Sequence, residues 1–305
     1  MNRRTFTRTI GLALGAGTAA IALPDFLHAA GRNLKIGCTG LIWIQPRNQE
    51  RMDEALRDMS ELGYHCFETW GSILADQDEK GALRDMIDRN GIPLRSAFMG
   101  VNVHDPSKLK ESISQVIAWG RVLLKYGGSF AVVNAGGIDR DAFNFEEARP
   151  HIISGLNEHG KALHDLGLNC GLHQHTGTAV DVPEQVYAVM EAVDTRYMKF
   201  APDVGQLQKA GGDAAKIVKD FLPIVAHMHL KDYKGWEHFA GYCPLGQGKV
   251  DLVSILNMLD KNNPKTNVMV ELDPSDNPPY TARQTAQISR DFLVKQGFEF
   301  RSRKS

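Results

Sequence analysis

The chain has 305 residues, with 35 lysines and arginines against 36 aspartates and glutamates and a formal net charge of −1. Without a basic run or face, nucleic acid is excluded as a partner, and the length suits one large α/β barrel or two small domains. The four cysteines, Cys38, Cys66, Cys170 and Cys243, are scattered with no CxxC pair; this argues against a thiolate metal site or a disulfide framework and for buried free thiols.

Asn2-Arg3-Arg4-Thr5-Phe6 precedes an uncharged, small-residue stretch from Thr9 to Pro24, and His28-Ala29-Ala30 offers small residues for cleavage. Residues 1–30 therefore read as a twin-arginine export signal, with a periplasmic or secreted destination. An apolar core of about 15 residues is short of the ~20 needed to span a bilayer, so the membrane is expected only in transit. Twin-arginine export carries folded proteins. Removing the segment takes away Arg3, Arg4, Arg8 and Asp25 and leaves a formal charge of −3. No linker-like tract divides residues 31–305, which read as one domain.

From there the chain alternates strand-like and helix-like segments. Strands are expected at 34–38, 64–68, 93–98, 130–134, 169–173, 198–203, 224–230 and 267–272. Amphipathic helices are expected at 52–62, 82–90, 108–126, 145–166, 183–193, 214–221 and 252–259. In the first of these helices Met52, Ala55, Leu56, Met59 and Leu62 fall at helical spacing. Several helices end in glycine just before a strand, as at Leu62-Gly63, Asn90-Gly91, Gly127-Gly128 and Leu166-Gly167, which is C-cap chemistry. Eight such repeats favour a single (β/α)₈ TIM barrel over an open doubly wound sheet. Gly37-Cys-Thr-Gly40 after the first strand lacks the dinucleotide-binding spacing, which disfavours a Rossmann fold.

The last four strands each end in a metal-binding residue type: His173 on the fifth, Asp203 on the sixth, His229 on the seventh and Glu271 on the eighth. In a closed parallel barrel these ends converge on the carboxyl-terminal face. Two neutral imidazoles and two carboxylates suit one divalent ion, with Mn, Co, Zn, Fe and Mg all compatible. Each has a bland alternative: His173 as a hydrogen-bonded core histidine, Asp203 as a helix N-cap, Glu271 as the partner of a surface lysine. Their recurrence at successive strand ends favours the metal, since unpartnered burial would cost several kcal/mol.

His227-Met-His229-Leu-Lys231-Asp232, then Pro244-Leu-Gly246-Gln-Gly248-Lys-Val-Asp251, then Val-Glu271-Leu, resembles the sugar phosphate isomerase/epimerase superfamily, the xylose isomerase-like TIM barrels. The resemblance covers the mature chain and is strongest from Asn169 to Asp273. It implies metal ligation at His173, Asp203, His229 and Glu271. The epimerases usually carry Glu where His173 stands; the His173-Gln-His175-Thr-Gly-Thr178 and Ala210-Gly-Gly-Asp213 stretches look more like inosose dehydratase. Gln206 occupies a place where relatives often have a second His, which counts against a three-metal endonuclease IV type.

The chemistry implied is removal of a proton next to a carbonyl that the ion polarises, followed by elimination, isomerisation or epimerisation. Glu271 is expected as ligand and base. Glu68 is the leading extra acid/base, or alternatively the partner of an arginine such as Arg95. His175 and Lys231 are expected to bind substrate oxygens or donate a proton, Lys231 being equally placed to pair with Asp232. Gln206 would offer a neutral hydrogen bond. Trp43, Trp70 and Phe98 are candidates to stack on a sugar ring, or simply to pack, and His104 is placed on the third βα loop. His65 and His227 are read as structural. A small carbohydrate, a keto sugar or cyclitol ketone, is the expected partner, and self-association into a homo-oligomer is compatible. The competing readings are a catalytically silent periplasmic sugar-binding barrel and, less favoured, a metal-dependent phosphodiester hydrolase.

Overall fold

A computed structural model describes residues 32–45 and 48–302; the export-signal reading of residues 1–30 lies outside the described residues. The barrel strands are β1 (Ile36–Thr39), β2 (Phe67–Trp70), β3 (Leu94–Gly100), β4 (Phe130–Asn134), β5 (Asn169–His173), β6 (Met198–Phe200), β7 (His227–Leu230) and β10 (Asn267–Val270). They form one parallel sheet in the order β6-β5-β4-β3-β2-β1-β10-β7. The two edges then meet: Phe200 bridges Val225 and Asp203 bridges His229, with His229 N donating to Pro202 O at 2.9 Å. The result is a nearly closed (β/α)₈ barrel, as the repeats imply. Two short segments, β8 (Asp232–Tyr233) and β9 (Tyr242–Cys243), pair antiparallel in the connection after β7.

The strands are buried on both faces; every residue of β4 and of β7 is buried. That is the expected consequence of helices covering the outside while side chains fill the lumen. The covering helices include α1 (Met52–Glu61), α3 (Leu83–Asn90), α4 (Leu109–Lys125), α5 (Phe145–Asp165), α6 (Pro183–Met190), α8 (Ala214–Asp220) and α9 (Leu252–Asn262), all near their expected positions. Gly91 ends α3 with φ +59 and donates to Ile87 O at 2.9 Å, a left-handed cap that a side chain would strain. All four cysteines are buried free thiols, and burial pushes Cys66 up to about 11 and Cys170 to about 12.

Three helices escape the periodicity. The first, α2 (Gly71–Glu79), starts directly on the end of β2 and buries only Gly71, Ile73, Leu74 and Gln77, so it carries no clear apolar stripe. Next, α7 (Val204–Lys209) buries its first four residues and is too short to alternate. The third, α10 (Ala282–Lys295), packs on Ala282, Thr285, Ala286, Ser289 and Leu293, a face too small and polar to read as hydrophobic. Its start is nonetheless marked by a Thr281–Gln284 capping box.

Strand β2 also lies later than expected. Tyr64 N closes the preceding turn on Met59 O, and regular pairing begins only at Phe67. Trp70 is therefore the last residue of the strand and not a loop residue beyond it. Strand β6 stops at Phe200 because Pro202 has no N–H to continue a ladder.

Candidate active site

The carboxyl-terminal mouth holds a cavity of about 170 Å³ bounded by Glu68, Trp70, Phe98, His173, Glu271 and Asp273, with His175 also on its wall. Larger open grooves lie on the outside, about 620 Å³ between α1, α2 and α3 and about 710 Å³ beside α7, α8 and α9, but neither gathers these groups.

The strand ends bring the expected ligands together. His173, Asp203 and His229 each offer a donor atom within 4.8 Å of the others, and all three are buried. The rings of His173 and His229 are 4.5 Å apart. Glu271 stands beside this triad, its Oε2 2.9 Å from His229 Nδ1 and its Oε1 drawn 2.6 Å from Lys231 Nζ. His173 Nδ1, Asp203 Oδ2 and His229 Nδ1 are buried without an aligned hydrogen bond. Buried polar atoms of that kind need a partner, and these donors are of the types that hold a divalent cation. The residues present thus fit a metal ion.

Burial, followed by the neighbouring His229, pushes His173 well below its ordinary value and leaves it a neutral imidazole. Burial also works against a charge on His229, but Glu271 and Glu68 outweigh it and raise its value. Burial raises Asp203 despite the opposing Lys231. For Glu271 burial is outweighed by His229 and Lys231, which hold the carboxyl well below its usual range.

Asp203 takes the N-cap role and still turns its other oxygen to the site. Its Oδ1 accepts from Gln206 N at 3.0 Å and caps α7, while Oδ2 faces the site, 3.0 Å from Lys231 Nζ. Lys231 is fully buried among Asp203, Glu271 and Asp273, donating to Asp273 Oδ2 at 2.8 Å. It lies beneath the cavity wall, so the expectation of direct substrate contact gives way to that of a counter-ion holding three carboxylates. Nor is Asp232 its partner. That carboxylate accepts from the N–H groups of Gly246, Gly248 and Val250 at 3.0, 2.8 and 3.1 Å, which ties the two sequence motifs to each other. Gly248 is required there: a Cβ would collide with Asp232 Oδ1 and stand 2.6 Å from Tyr233 O. Asp251 then caps α9 through Ser254 N.

Glu68 has no arginine partner. It is 1 % exposed; Ser96 Oγ donates to Oε2 at 2.5 Å, His227 Nε2 lies 3.0 Å from the same oxygen, and His229 Nε2 meets Oε1 at 2.7 Å. Arg95, the neighbour of Ser96, alternates to the exposed outer face. Burial would raise the Glu68 carboxyl, but His229 and His227 together hold it below the usual carboxylate range. Glu68, His227 and His229 form a second buried group of metal-binding types that shares His229 with the first. His227, read as structural, thus borders the site from two residues deeper, stacked on Phe130 with ring centres 4.9 Å apart. His65 lies half-buried and outside the cavity, its Nδ1 3.3 Å from Ile36 O.

The expected substrate-binding residues divide. Trp70 and Phe98 line the cavity edge to face, 6.4 Å between centroids. Trp43 is instead 3 % exposed within the core, donating from Nε1 to Asp58 Oδ2 at 3.0 Å, and has no wall on the cavity. His104 packs edge-on against Phe143 and is not part of the lining either. Gln206 is 1 % exposed and braces its neighbours. Its Oε1 accepts from Thr176 N and Oγ1, which turns its amide nitrogen to His175 Nε2 at 2.7 Å. His175 Nδ1 faces Thr176 O at 2.8 Å, so the proton sits on Nδ1 and both ring nitrogens are engaged. Asp213 of the Ala210-Gly-Gly-Asp213 stretch only caps α8, through Lys216 N.

Sequence reasoning missed Asp273, two residues beyond Glu271 and on the same wall. An extended spacing of two was the available signal. It also missed Ser96, which lies in register with Glu68 across β2 and β3.

The model of the family described as xylose isomerase-like TIM barrel matches residues 56–294. Inosose dehydratase of Geobacillus kaustophilus (strain HTA426) is 25% identical over 294 residues, covering 85% of this chain and 94% of the relative. Among solved structures, the 3-keto-D-glucoside 4-epimerase YcjR from E. coli superposes with a TM-score of 0.66 at 18% identity, covering 86% of this chain and 98% of that one. The IOLI protein with a binding zinc atom gives 0.69 at 18%, covering 88% and 100%. With the barrel and the converging strand ends, these findings identify the chain as a member of the xylose isomerase-like TIM barrel family.

Proposed function

We propose that this protein is an exported, divalent-metal-dependent enzyme that removes a proton next to the carbonyl of a keto sugar or cyclitol ketone, leading to elimination or to isomerisation or epimerisation. The observation that carries the reading is the convergence of His173, Asp203 and His229, each with a buried atom lacking an aligned hydrogen bond, beside a cavity lined by His173, Glu271 and Asp273. His173, Asp203, His229 and Glu271 would hold the ion, which when bound supplies Lewis-acid polarisation of a carbonyl.

The chain's own groups do the rest. Trp70 and Phe98 offer an apolar wall to one face of a small ring. His175, fixed by Gln206 and Thr176, presents its ring edge. Lys231 balances the carboxylates and holds them in place. Glu271 has both oxygens occupied, by His229 and Lys231, whereas Asp273 meets Lys231 through Oδ2 and borders the cavity with side-chain exposure of 20%. Asp273 is therefore the carboxylate best placed to take the proton, with Glu271 kept as ligand. The named relatives include a dehydratase and an epimerase, and both outcomes begin with this step. Elimination is preferred on the His173 departure from the usual glutamate.

The test is incubation of metal-loaded protein with keto sugars and inososes in deuterated water. Deuterium should enter next to the carbonyl, and Asp273→Asn should slow that exchange at least 100-fold, within the span of general base catalysis of roughly 10²–10⁴, while retaining metal. Absence of exchange with every substrate and divalent ion would favour a catalytically silent sugar-binding barrel.

A further inference from the structure

We infer that Glu68 is a positioning residue for the metal, not an acid or base: it fixes the His229 imidazole so that Nδ1 faces His173 and Glu271. The inference rests on the metal site proposed above and assigns work to a residue outside its ligand set.

Three observations carry it. First, His229 is held at both ring nitrogens, Nε2 2.7 Å from Glu68 Oε1 and Nδ1 2.9 Å from Glu271 Oε2, and only the Glu68 contact has hydrogen-bond alignment. A carboxylate accepts and never donates when ionised, so Nε2 carries a proton and Nδ1 is the nitrogen that would ligate a cation on the side where His173 and Asp203 converge. Second, Glu68 is itself fixed. Ser96 Oγ donates to Oε2 at 2.5 Å and His227 Nε2 stands 3.0 Å from that oxygen, while stacking on Phe130 immobilises His227. Although Glu68 borders the cavity, both its oxygens are engaged by protein groups and it is only 1 % exposed, which suits holding a neighbour more than exchanging protons with a substrate. Third, this arrangement separates the two overlapping clusters. Glu68 anchors the first through hydrogen bonds to Ser96 and His229, with His227 Nε2 3.0 Å away but unaligned, whereas no such carboxylate bond holds His173 Nδ1 in the second. The first cluster is braced through Glu68, and the second has no such brace. Carboxylates that orient a metal-bound imidazole in this way set both its tautomer and its basicity.

The measurement is competitive zinc titration of the full-length protein against a chromophoric chelator, with the metal-free melting temperature recorded in parallel. Glu68→Gln is nearly isosteric and should weaken zinc binding about 10- to 100-fold; Glu68→Ala should weaken it at least as much, and Glu68→Asp should recover part of the loss. Ser96→Ala, one step further from the metal, should have a smaller effect. Zinc affinity unchanged in Glu68→Gln, with only the metal-free melting temperature lowered, would make Glu68 a structural group and overturn the inference while leaving the metal site standing. A wild-type protein whose zinc binding is absent, or survives His229→Ala unchanged, would instead remove the site and the inference together.

Discussion

A buried imidazole nitrogen with no aligned partner costs free energy unless something takes up its lone pair, and the neutral His173 presents one at 1 % exposure. The character of the site follows from such atom-level imbalances more than from residue types. Lys231 illustrates this: a fully buried ammonium would be driven to neutrality by desolvation, yet Asp203, Asp273 and Glu271 outweigh burial and raise its value well above the ordinary one. Residue type alone misled at one tryptophan. Trp43 follows β1 as Trp70 ends β2, but only Trp70 has a wall on the cavity; the partner that claims the Trp43 indole, Asp58, lies on α1 and no sequence spacing reveals it. Trp43→Phe should accordingly cost about 1–3 kcal/mol in urea unfolding by leaving a buried carboxylate oxygen unpaired, with KM unchanged. Trp70→Ala should raise KM roughly 2- to 10-fold through the loss of an aromatic contact. A reversed pattern would return Trp43 to the substrate site.

At the scale of elements, strand ends were legible and strand neighbours were not. The terminal positions of His173, Asp203, His229 and Glu271 could be read because an apolar run stops at each. That Glu68 meets His229 across the lumen depends on the closure of a barrel in which β2 and β7 are separated by β1 and β10, and this leaves no mark in either segment. Helices α7 and α10 were hidden for a different reason, since their buried faces lack a large apolar stripe. The glycine motif after β9 shows the reverse case, a sequence pattern whose structural cause is now plain. Gly246, Gly248 and Val250 wrap the Asp232 carboxylate with backbone N–H groups, fixing the loop that carries β7 into α9. Gly248→Ala should therefore cost about 1–3 kcal/mol by overpacking against Asp232 and the Tyr233 backbone. Gly100→Ala, with no atom within 4 Å of the added Cβ, should change stability by less than about 0.5 kcal/mol. Equal denaturation midpoints for the two variants would contradict this account of the loop.

For the molecule as a whole, barrel closure between β6 and β7 is what assembles the site, because Asp203 and His229 are the bridged pair at that seam. Three carboxylates, Asp203, Glu271 and Asp273, then surround one ammonium, Lys231, and a fourth, Glu68, stands against His229. Such a mouth favours a cation and disfavours anionic substrates, in keeping with a neutral sugar or cyclitol and with the absence of any basic surface run in the sequence. The central claim is that one divalent ion sits over this seam. It is tested most directly by anomalous diffraction from crystals soaked in zinc: the account predicts a single strong peak coordinated by His173, Asp203, His229 and Glu271, with Glu68 bonded to the far nitrogen of His229. A peak lying between Glu68, His227 and His229, or none at the barrel mouth, would contradict it.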